Sequence, residues 1–432
     1  MLTSNPLILD LSLHEILKEL EGSKDSYFIT GKAGTGKSTL LQIFRDTTRK
    51  NVVVLAPTGV AALNVRGQTI HSFFGFPPHL IDKQAIEKRK NHRFFARIDT
   101  IIIDEISMVR ADILDHINFF LQINRQDSRP FGGVQMILLG DVFQLPPVVA
   151  TPFERDYFRT VYTSPYFFDA HIIQQGFKYF TIQLQKIYRQ NEHHFIKILD
   201  AIRHKQLDNN VLDVLNERVA ATPLKEQLMI TLATRNDKVN LINLQELQKL
   251  DAPPLVYQAE INGLFEPQFY PTDLALKLKV GAQIMLLKND LQKRYVNGTL
   301  GRVEILKEHE IAISVVGEDG KKVFIELEKN TWELMKYRMN NQEGNRIESE
   351  VIGTFTQYPL RLAWAVTIHK SQGKTFDYIN VDLDKGAFEH GQTYVALSRC
   401  RTMEGIFLQR PIKPTDILVD ERVTEFYEQC VR

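Results

Sequence analysis

The 432-residue chain has little of what marks several protein classes. It holds two cysteines, Cys400 and Cys430, which form neither a disulfide framework nor a metal-ligand spacing and predict a reducing compartment. No apolar run approaches the ~18 residues of a membrane-spanning helix, and Val52 to Ala56 and Ile101 to Ile103 are only strand-sized. The N-terminus shows no basic stretch followed by an apolar one, so no secretory or organelle signal is expected. Charge of one sign is missing too: 53 basic residues against 52 acidic leave a net +1. That excludes a general polycation coating nucleic acid but leaves room for a local basic channel, because net charge averages over faces. Internal repeats and low-complexity segments are absent. What is present, 44% hydrophobic and 24% charged residues, excludes wholesale disorder. At about 150 residues per domain the length predicts roughly three domains.

Along the chain, Leu13, Ile16, Leu17 and Leu20 recur at helical spacing and predict a leader helix, residues 1–21, packed on a core. From Ser26 strands and helices alternate: strands Tyr27 to Thr30, Asn51 to Ala56, Thr100 to Ile103 and Gln135 to Leu139, with a helix Ser38 to Arg49. Continuous apolar strands between helices predict a parallel sheet covered on both faces. A second such set holds strands Met229 to Ala233, Tyr378 to Val381 and Gly405 to Leu408 and a helix Asp237 to Leu250. Between its parts, residues 251–352 carry Pro253-Pro254, Asn297-Gly298 and Glu318-Asp319-Gly320 beside alternating runs Val303 to Leu306 and Lys322 to Leu327. That is hairpin chemistry, predicting a β-rich domain inserted into the second α/β core.

Gly31-Lys32-Ala33-Gly34-Thr35-Gly36-Lys37-Ser38 matches G-x-x-x-x-G-K-[ST]. Its backbone N–H groups would close around ATP phosphates at a helix N-terminus, with Lys37 on the β/γ-phosphates and the Ser38 hydroxyl on Mg²⁺. Ala33, Gly34, Thr35, Gly36 and Thr39 complete the expected nucleotide contacts. The strand Ile101-Ile102-Ile103 ends in Asp104-Glu105. Asp104 is placed to hold Mg²⁺ and Glu105 to orient and deprotonate the attacking water. In Gly140-Asp141-Val142-Phe143-Gln144-Leu145-Pro146-Pro147-Val148, Gln144 can bond the γ-phosphate or that water.

These segments, with Ala56 to Ala62, Gly67 to Phe74, Phe131-Gly132-Gly133, Tyr188-Arg189-Gln190, Val296 to Thr299, Thr367 to Gly373 and Tyr394 to Arg399, resemble the PIF (petite integration frequency) branch of superfamily one 5′→3′ DNA helicases. RecD-like enzymes are next in likeness, and the resemblance covers about residues 22–410. Asp112 to Phe131 falls where that family carries its signature helix. The resemblance implies an α/β fold of two tandem RecA-like cores, residues 22–176 and residues 177–250 with 353–432. It implies an SH3-like inserted domain at 251–352 and a small wedge element near 64–75. It gives Arg189 and Arg399 the role of reaching the γ-phosphate, puts Gln372 and Gly373 at the nucleotide, and implies ATP and Mg²⁺ as cofactors.

For the single strand it implies a track of Thr58, Gly59, Val60, Asn64, Thr69, His71, Phe73 and Pro147 from the first core. Thr234, Arg235, Thr367, His369 and Lys370 would come from the second core and Lys293 from the insertion. His71 also suits a capped turn and Phe73 a core position. Lys83, Lys88, Arg89, Lys90, His92 and Arg93 between Phe76 and Phe94-Phe95 suit either DNA contact or a solvated basic helix. Lys288, Lys293, Arg294 and Tyr295 form a second basic–aromatic cluster. The resulting expectation is a monomeric, DNA-stimulated ATPase that unwinds duplex, fork, R-loop or G-quadruplex DNA without a membrane partner. Cytoplasmic, nucleoid-associated action in a bacterium or virus goes with it. Rival readings are a translocase that does not unwind and a non-hydrolysing loading factor. A protein-remodelling ring ATPase is the third, disfavoured by the second α/β core.

Overall fold

The computed structural model describes residues 12–431 except Pro78, Asn191, Ala220, 222–226, Leu291, 318–319 and 341–345. Most of the expected turn at Glu318-Asp319-Gly320, and residues 1–11 of the leader, therefore lie outside the described residues. By contacts the chain divides into two units: Met1–Tyr188 with Leu334–Ile352 and Asp420–Arg432, and Arg189–Glu333 with Gly353–Val419.

The first unit is built on a six-stranded parallel sheet. Its strands are β1 (Tyr27–Gly31), β2 (Val52–Ala56), β3 (Gln68–Thr69), β4 (Thr100–Ile103), β5 (Gln135–Leu139) and β6 (Phe180–Leu184). Their order across the sheet is β3-β2-β4-β5-β1-β6. β1, β4 and β5 are buried along their whole length, as unbroken apolar strands must be when helices cover both faces. The helix Leu13–Gly22 is started by a Ser12–Glu15 capping box and buries Ile16 and Leu20. These pack with Tyr27, Ile29, Leu40, Leu41 and Phe44 in one core cluster.

Two segments group otherwise than the sequence boundaries place them. Asp420–Arg432 carries the helix Glu421–Val431, read from sequence as part of the second core. Phe426 stacks on Phe168 at 4.2 Å and meets Phe28 and Phe167, so the helix covers the first sheet. Leu334–Ile352, read as part of the insertion, groups with the first unit through Tyr337. The Val54 N–H donates to the Tyr337 hydroxyl at 3.0 Å. β6 also belongs to the first sheet, so the first unit runs on to Tyr188 instead of ending at residue 176.

The second unit holds a four-stranded parallel sheet in the order Ala365–Thr367, Ile230–Ala233, Ile379–Asp382, Ile406–Leu408. Between the first two of these in sequence comes an antiparallel sheet of Gln283–Leu286, Leu300–Lys307, Glu310–Val316 and Lys322–Leu327, edged by Leu360–Leu362. Alternate residues of these strands, among them Ile284, Leu286, Val303, Ile311, Ile313 and Ile325, fill its own core. The chain thus has two RecA-like α/β cores and a β-rich, SH3-like insertion.

Candidate functional site

Parallel sheets gather chemistry at the carboxyl ends of their strands, where the chain leaves each strand in a loop. In the first unit the loops after β1, β2, β4 and β5 carry the phosphate loop, Thr58, the Asp104-Glu105 pair and the Gln144 turn. Every first-core nucleotide residue expected from sequence therefore lies on one edge of one sheet.

The phosphate loop turns through Gly34 and Gly36, at φ +82° and +88°, backbone that a side chain makes costly. Gly36 is the N-cap of the helix Lys37–Thr47, and a helix N-terminus directly after a glycine loop offers its free N–H groups to an anion. Thr35 donates its hydroxyl to the Lys32 carbonyl at 2.9 Å. Lys37 donates its ammonium to the carbonyls of Gly31 at 2.6 Å and Lys32 at 3.1 Å. Ala33 is buried, while Ser38 and Thr39 are exposed on the first turn of the helix.

Asp104 is buried at the end of β4, and burial pushes its carboxyl up to about 6 against the pull of the Glu105 N–H and the Lys37 charge. Glu105 has left-handed backbone, φ 52° and ψ 46°, at a non-glycine position. Such strain costs of order 1 kcal/mol and is retained where it aims a functional side chain. Beyond β5, a Cβ on Gly140 would come within 2.9 Å of Ile106 Cγ2, so glycine lets this exit pass close to the loop that follows Glu105. Asp141 then ties the next turn. Its carbonyl accepts from the Gln144 N–H at 2.9 Å, and its carboxylate accepts from the Gln144 side chain at 3.3 Å and the Phe143 N–H at 3.2 Å.

Tyr188 stands in the Tyr188-Arg189-Gln190 segment without a role that its sequence position assigns. The structure places it on the phosphate loop: its N–H donates to the Gly34 carbonyl at 2.9 Å, and its ring lies 3.8 Å from where a Gly36 Cβ would be. It is 65% exposed, a flat apolar face beside a phosphate loop. An aromatic residue directly before the motif arginine was the available signal.

In the second unit Arg189 and Arg399 share one anchor, Ser398. Arg189 donates to its carbonyl at 3.3 Å, Arg399 to its hydroxyl at 2.8 Å and to the Val395 carbonyl at 2.9 Å. Gln190 adds bonds to the carbonyls of Ser398 and Cys400. Arg399 is 1% exposed, and burial lowers the pKa of Arg189. Gln372 and Gly373 follow the short helix Ile368–Ser371 in the same unit, Gly373 exposed at φ +77°.

Of the track residues, Thr58, Thr69 and Thr367 cap helices, their hydroxyls accepting from Ala61, Ser72 and Lys370 N–H groups. Thr58, Val60, Asn64, Arg235, Lys293 and Lys370 are exposed, Gly59 and His71 half-buried, and Thr69, Pro147, Thr234 and Thr367 buried. Burial and the Arg110 charge lower the pKa of His71. His369 is paired with Glu389 at 3.0 Å. Phe73 meets the rings of Phe74, Phe94, Phe95 and Tyr337, which is the core alternative of the sequence reading. The basic segment around Lys83 to Arg93 forms two short helical turns, Lys83–Ala85 and His92–Ala96, instead of one helix. Lys83 lies over the Phe119 ring and Arg89 bonds the Phe74 carbonyl, while Lys88, Lys90 and Arg93 are exposed. Near the insertion's cluster Arg294 is tied to Asp290, and Lys288 lies over Trp332.

Against known proteins, the model of the PIF1-like helicase family matches residues 10–213 and that of the DNA helicase Pif1 2B domain matches residues 267–306. The chain is 33% identical to the ATP-dependent DNA helicase Pif1 of Bdellovibrio bacteriovorus, over 95% of this chain and 90% of that one. It is similar to the crystal structure of Bacteroides sp. Pif1 in complex with ADP-AlF4, with 37% identity, 98% and 97% coverage and a TM-score of 0.87. Against Bacteroides Pif1 bound to single-stranded DNA the identity is 38%, the coverage 98% and 97% and the TM-score 0.69.

Proposed function

The chain belongs to the PIF1-like helicase family, and from that premise we propose how it works as an ATP-dependent DNA helicase. It moves 5′→3′ along a single strand as a monomer, by ATP-driven closing and reopening of its two RecA-like cores. By this motion it unwinds duplex, forked, R-loop and G-quadruplex DNA. The phosphates enter the seat between Gly34, Gly36 and the start of the helix Lys37–Thr47, and the Lys37 ammonium exchanges its loop carbonyls for β/γ-oxygens.

Ser38 and Asp104 suit Mg²⁺, being a hydroxyl and a carboxylate, the hard oxygen donors that ion takes, and the burial that disfavours the Asp104 anion favours a cation beside it. Bound there, Mg²⁺ would neutralise phosphate charge. Glu105, held by its strained backbone, takes the proton of the attacking water, and Gln144 orients that water. Arg189 and Arg399 bring planar, bidentate donors to the charge that spreads over the γ-phosphate oxygens in the transition state. Their common anchor on Ser398 makes them respond together.

Loss of the γ-phosphate removes these contacts and reopens the cores. The grip on the strand then passes between the first-core residues Thr58, Gly59, Val60, Asn64, Thr69, His71 and Pro147 and the group Thr234, Arg235, Lys293, Thr367, His369 and Lys370. The observation that carries the reading is the convergence of Lys37, Asp104, Glu105 and Gln144 on the carboxyl edge of one parallel sheet. Glu105→Gln tests it: nucleotide affinity is expected to stay near wild type and DNA-stimulated hydrolysis to stop. Turnover at the wild-type rate would remove Glu105 as the base.

A further inference from the structure

The helix Glu421–Val431 does more than cover apolar surface. Its Phe426 docks against Phe168, Phe28 and Phe167, and Tyr427, next in sequence, faces a different neighbour. The Tyr427 ring meets the Phe143 ring edge-on, with centroids 5.0 Å apart and planes at 75°. Its hydroxyl accepts from the Gln183 amide at 2.7 Å. Gln183 lies on β6 opposite Thr30, the residue before the first glycine of the phosphate loop.

Phe143 is 1% exposed and stands directly before Gln144. The two residues share one turn, pinned on one side by Asp141 through the Phe143 N–H and the Gln144 side chain. On the other side the turn leans on its buried phenyl ring, and that ring leans on Tyr427. A turn held at both ends fixes where the Gln144 amide points. Removing the ring that Phe143 rests on loosens the turn, and displacement of a water-orienting group by an ångström is costly to rate.

We propose that Tyr427 is a positioning residue for ATP hydrolysis: from the helix Glu421–Val431 it braces Phe143 and thereby sets the Gln144 side chain toward the attacking water. The chain re-enters the first unit at Asp420 after leaving the second at Val419, so the brace stands at the end of a covalent tether from the second unit. The inference rests on the hydrolytic role of Gln144 proposed above.

The test is a double-mutant cycle, with kcat and KM for ATP measured at saturating single-stranded DNA alongside thermal melting. Tyr427→Ala is expected to lower kcat on the order of tenfold with KM unchanged. Tyr427→Phe keeps the ring, loses only the hydroxyl, and is expected to hold kcat within about twofold of wild type. In a Gln144→Ala background, Tyr427→Ala is expected to cost nothing further, because the group it positions is gone. Tyr427→Leu keeps apolar bulk under the helix, so the cycle can be run with it where the alanine variant fails to fold. A kcat loss of equal size in both backgrounds overturns the brace and leaves the Gln144 reading standing. A wild-type kcat for Tyr427→Ala likewise overturns the brace alone. A wild-type kcat for Gln144→Ala overturns the Gln144 reading and the brace with it.

Discussion

Phe73 separates strand-binding surface from core, because its type suits both and its surroundings favour one. Four rings enclose it: Phe74 at 4.8 Å, Phe95 at 5.8 Å, and Phe94 and Tyr337 at 6.0 Å, three of them edge-on. A fully buried phenylalanine truncated to alanine costs about 3–5 kcal/mol. Phe73 is half-buried, so roughly 2 kcal/mol is expected for Phe73→Ala, part of it the ring–ring attraction lost with its neighbours. For a unit of this size that is about 4–8 °C of melting temperature. Were Phe73 a stacking platform instead, its loss would remove about 1–3 kcal/mol of binding, roughly 5- to 150-fold in Kd. Melting by calorimetry and single-strand affinity by fluorescence anisotropy, on the same preparation, distinguish the two. The expected pair is a lowered melting temperature with affinity per folded molecule unchanged. An unchanged melting temperature with weakened affinity would refute the packing argument and return Phe73 to the track.

Arg399→Ala removes a buried side chain that bonds Ser398 and Val395, so DNA-stimulated ATPase is expected to fall ~10³-fold or more. Single-strand affinity without nucleotide should be unchanged, and a near-normal ATPase rate would contradict the role. Lys370→Ala should weaken single-strand binding for all sequences and make the log–log salt slope shallower by about 0.7 if it meets one phosphate. Asp104→Asn is expected to stabilise the nucleotide-free protein in chelator at neutral pH while abolishing turnover. The sign follows from a folded-state pKa of about 6, above its ordinary value. The native carboxyl holds its proton more tightly than the unfolded one, so wild-type stability at this site is lost as pH rises through about 6. Melting temperatures of the variant and wild type should therefore converge toward pH 4, and an unchanged gap across that range would contradict the burial of Asp104.

Much of the catalytic edge was legible because it is local. Strands β1, β2, β4 and β5 are unbroken apolar runs, and a phosphate loop must follow one of them. β3 is two residues long, Gln68–Thr69, too short to leave a periodic trace. The helix Glu421–Val431 buries Val423, Phe426 and Cys430 at helical spacing, so its amphipathic face was readable. Its partner was not, since nothing in that spacing says that Phe168 and Phe28 wait in the first core and not the second. The same holds for Tyr337, whose hydroxyl meets the β2 backbone 283 residues away in sequence. Glu105 was recognisable as a carboxylate after a strand, but its left-handed backbone was not, because its residue type does not favour that conformation. Motif arginines announced themselves, whereas their common anchor on Ser398 did not, because the Arg189 bond to it spans 209 residues of chain.

ATP turnover on the carboxyl edge of the first sheet is expected to drive 5′→3′ unwinding of DNA. Strand displacement on a duplex carrying one single-stranded tail, 5′ or 3′, with ATP and Mg²⁺ and with Lys37→Ala as the control, measures this coupling. Displacement is expected from the 5′-tailed duplex alone, and none with Lys37→Ala. Efficient displacement from the 3′-tailed duplex would overturn the 5′→3′ direction, and displacement that survives Lys37→Ala would uncouple unwinding from the phosphate loop.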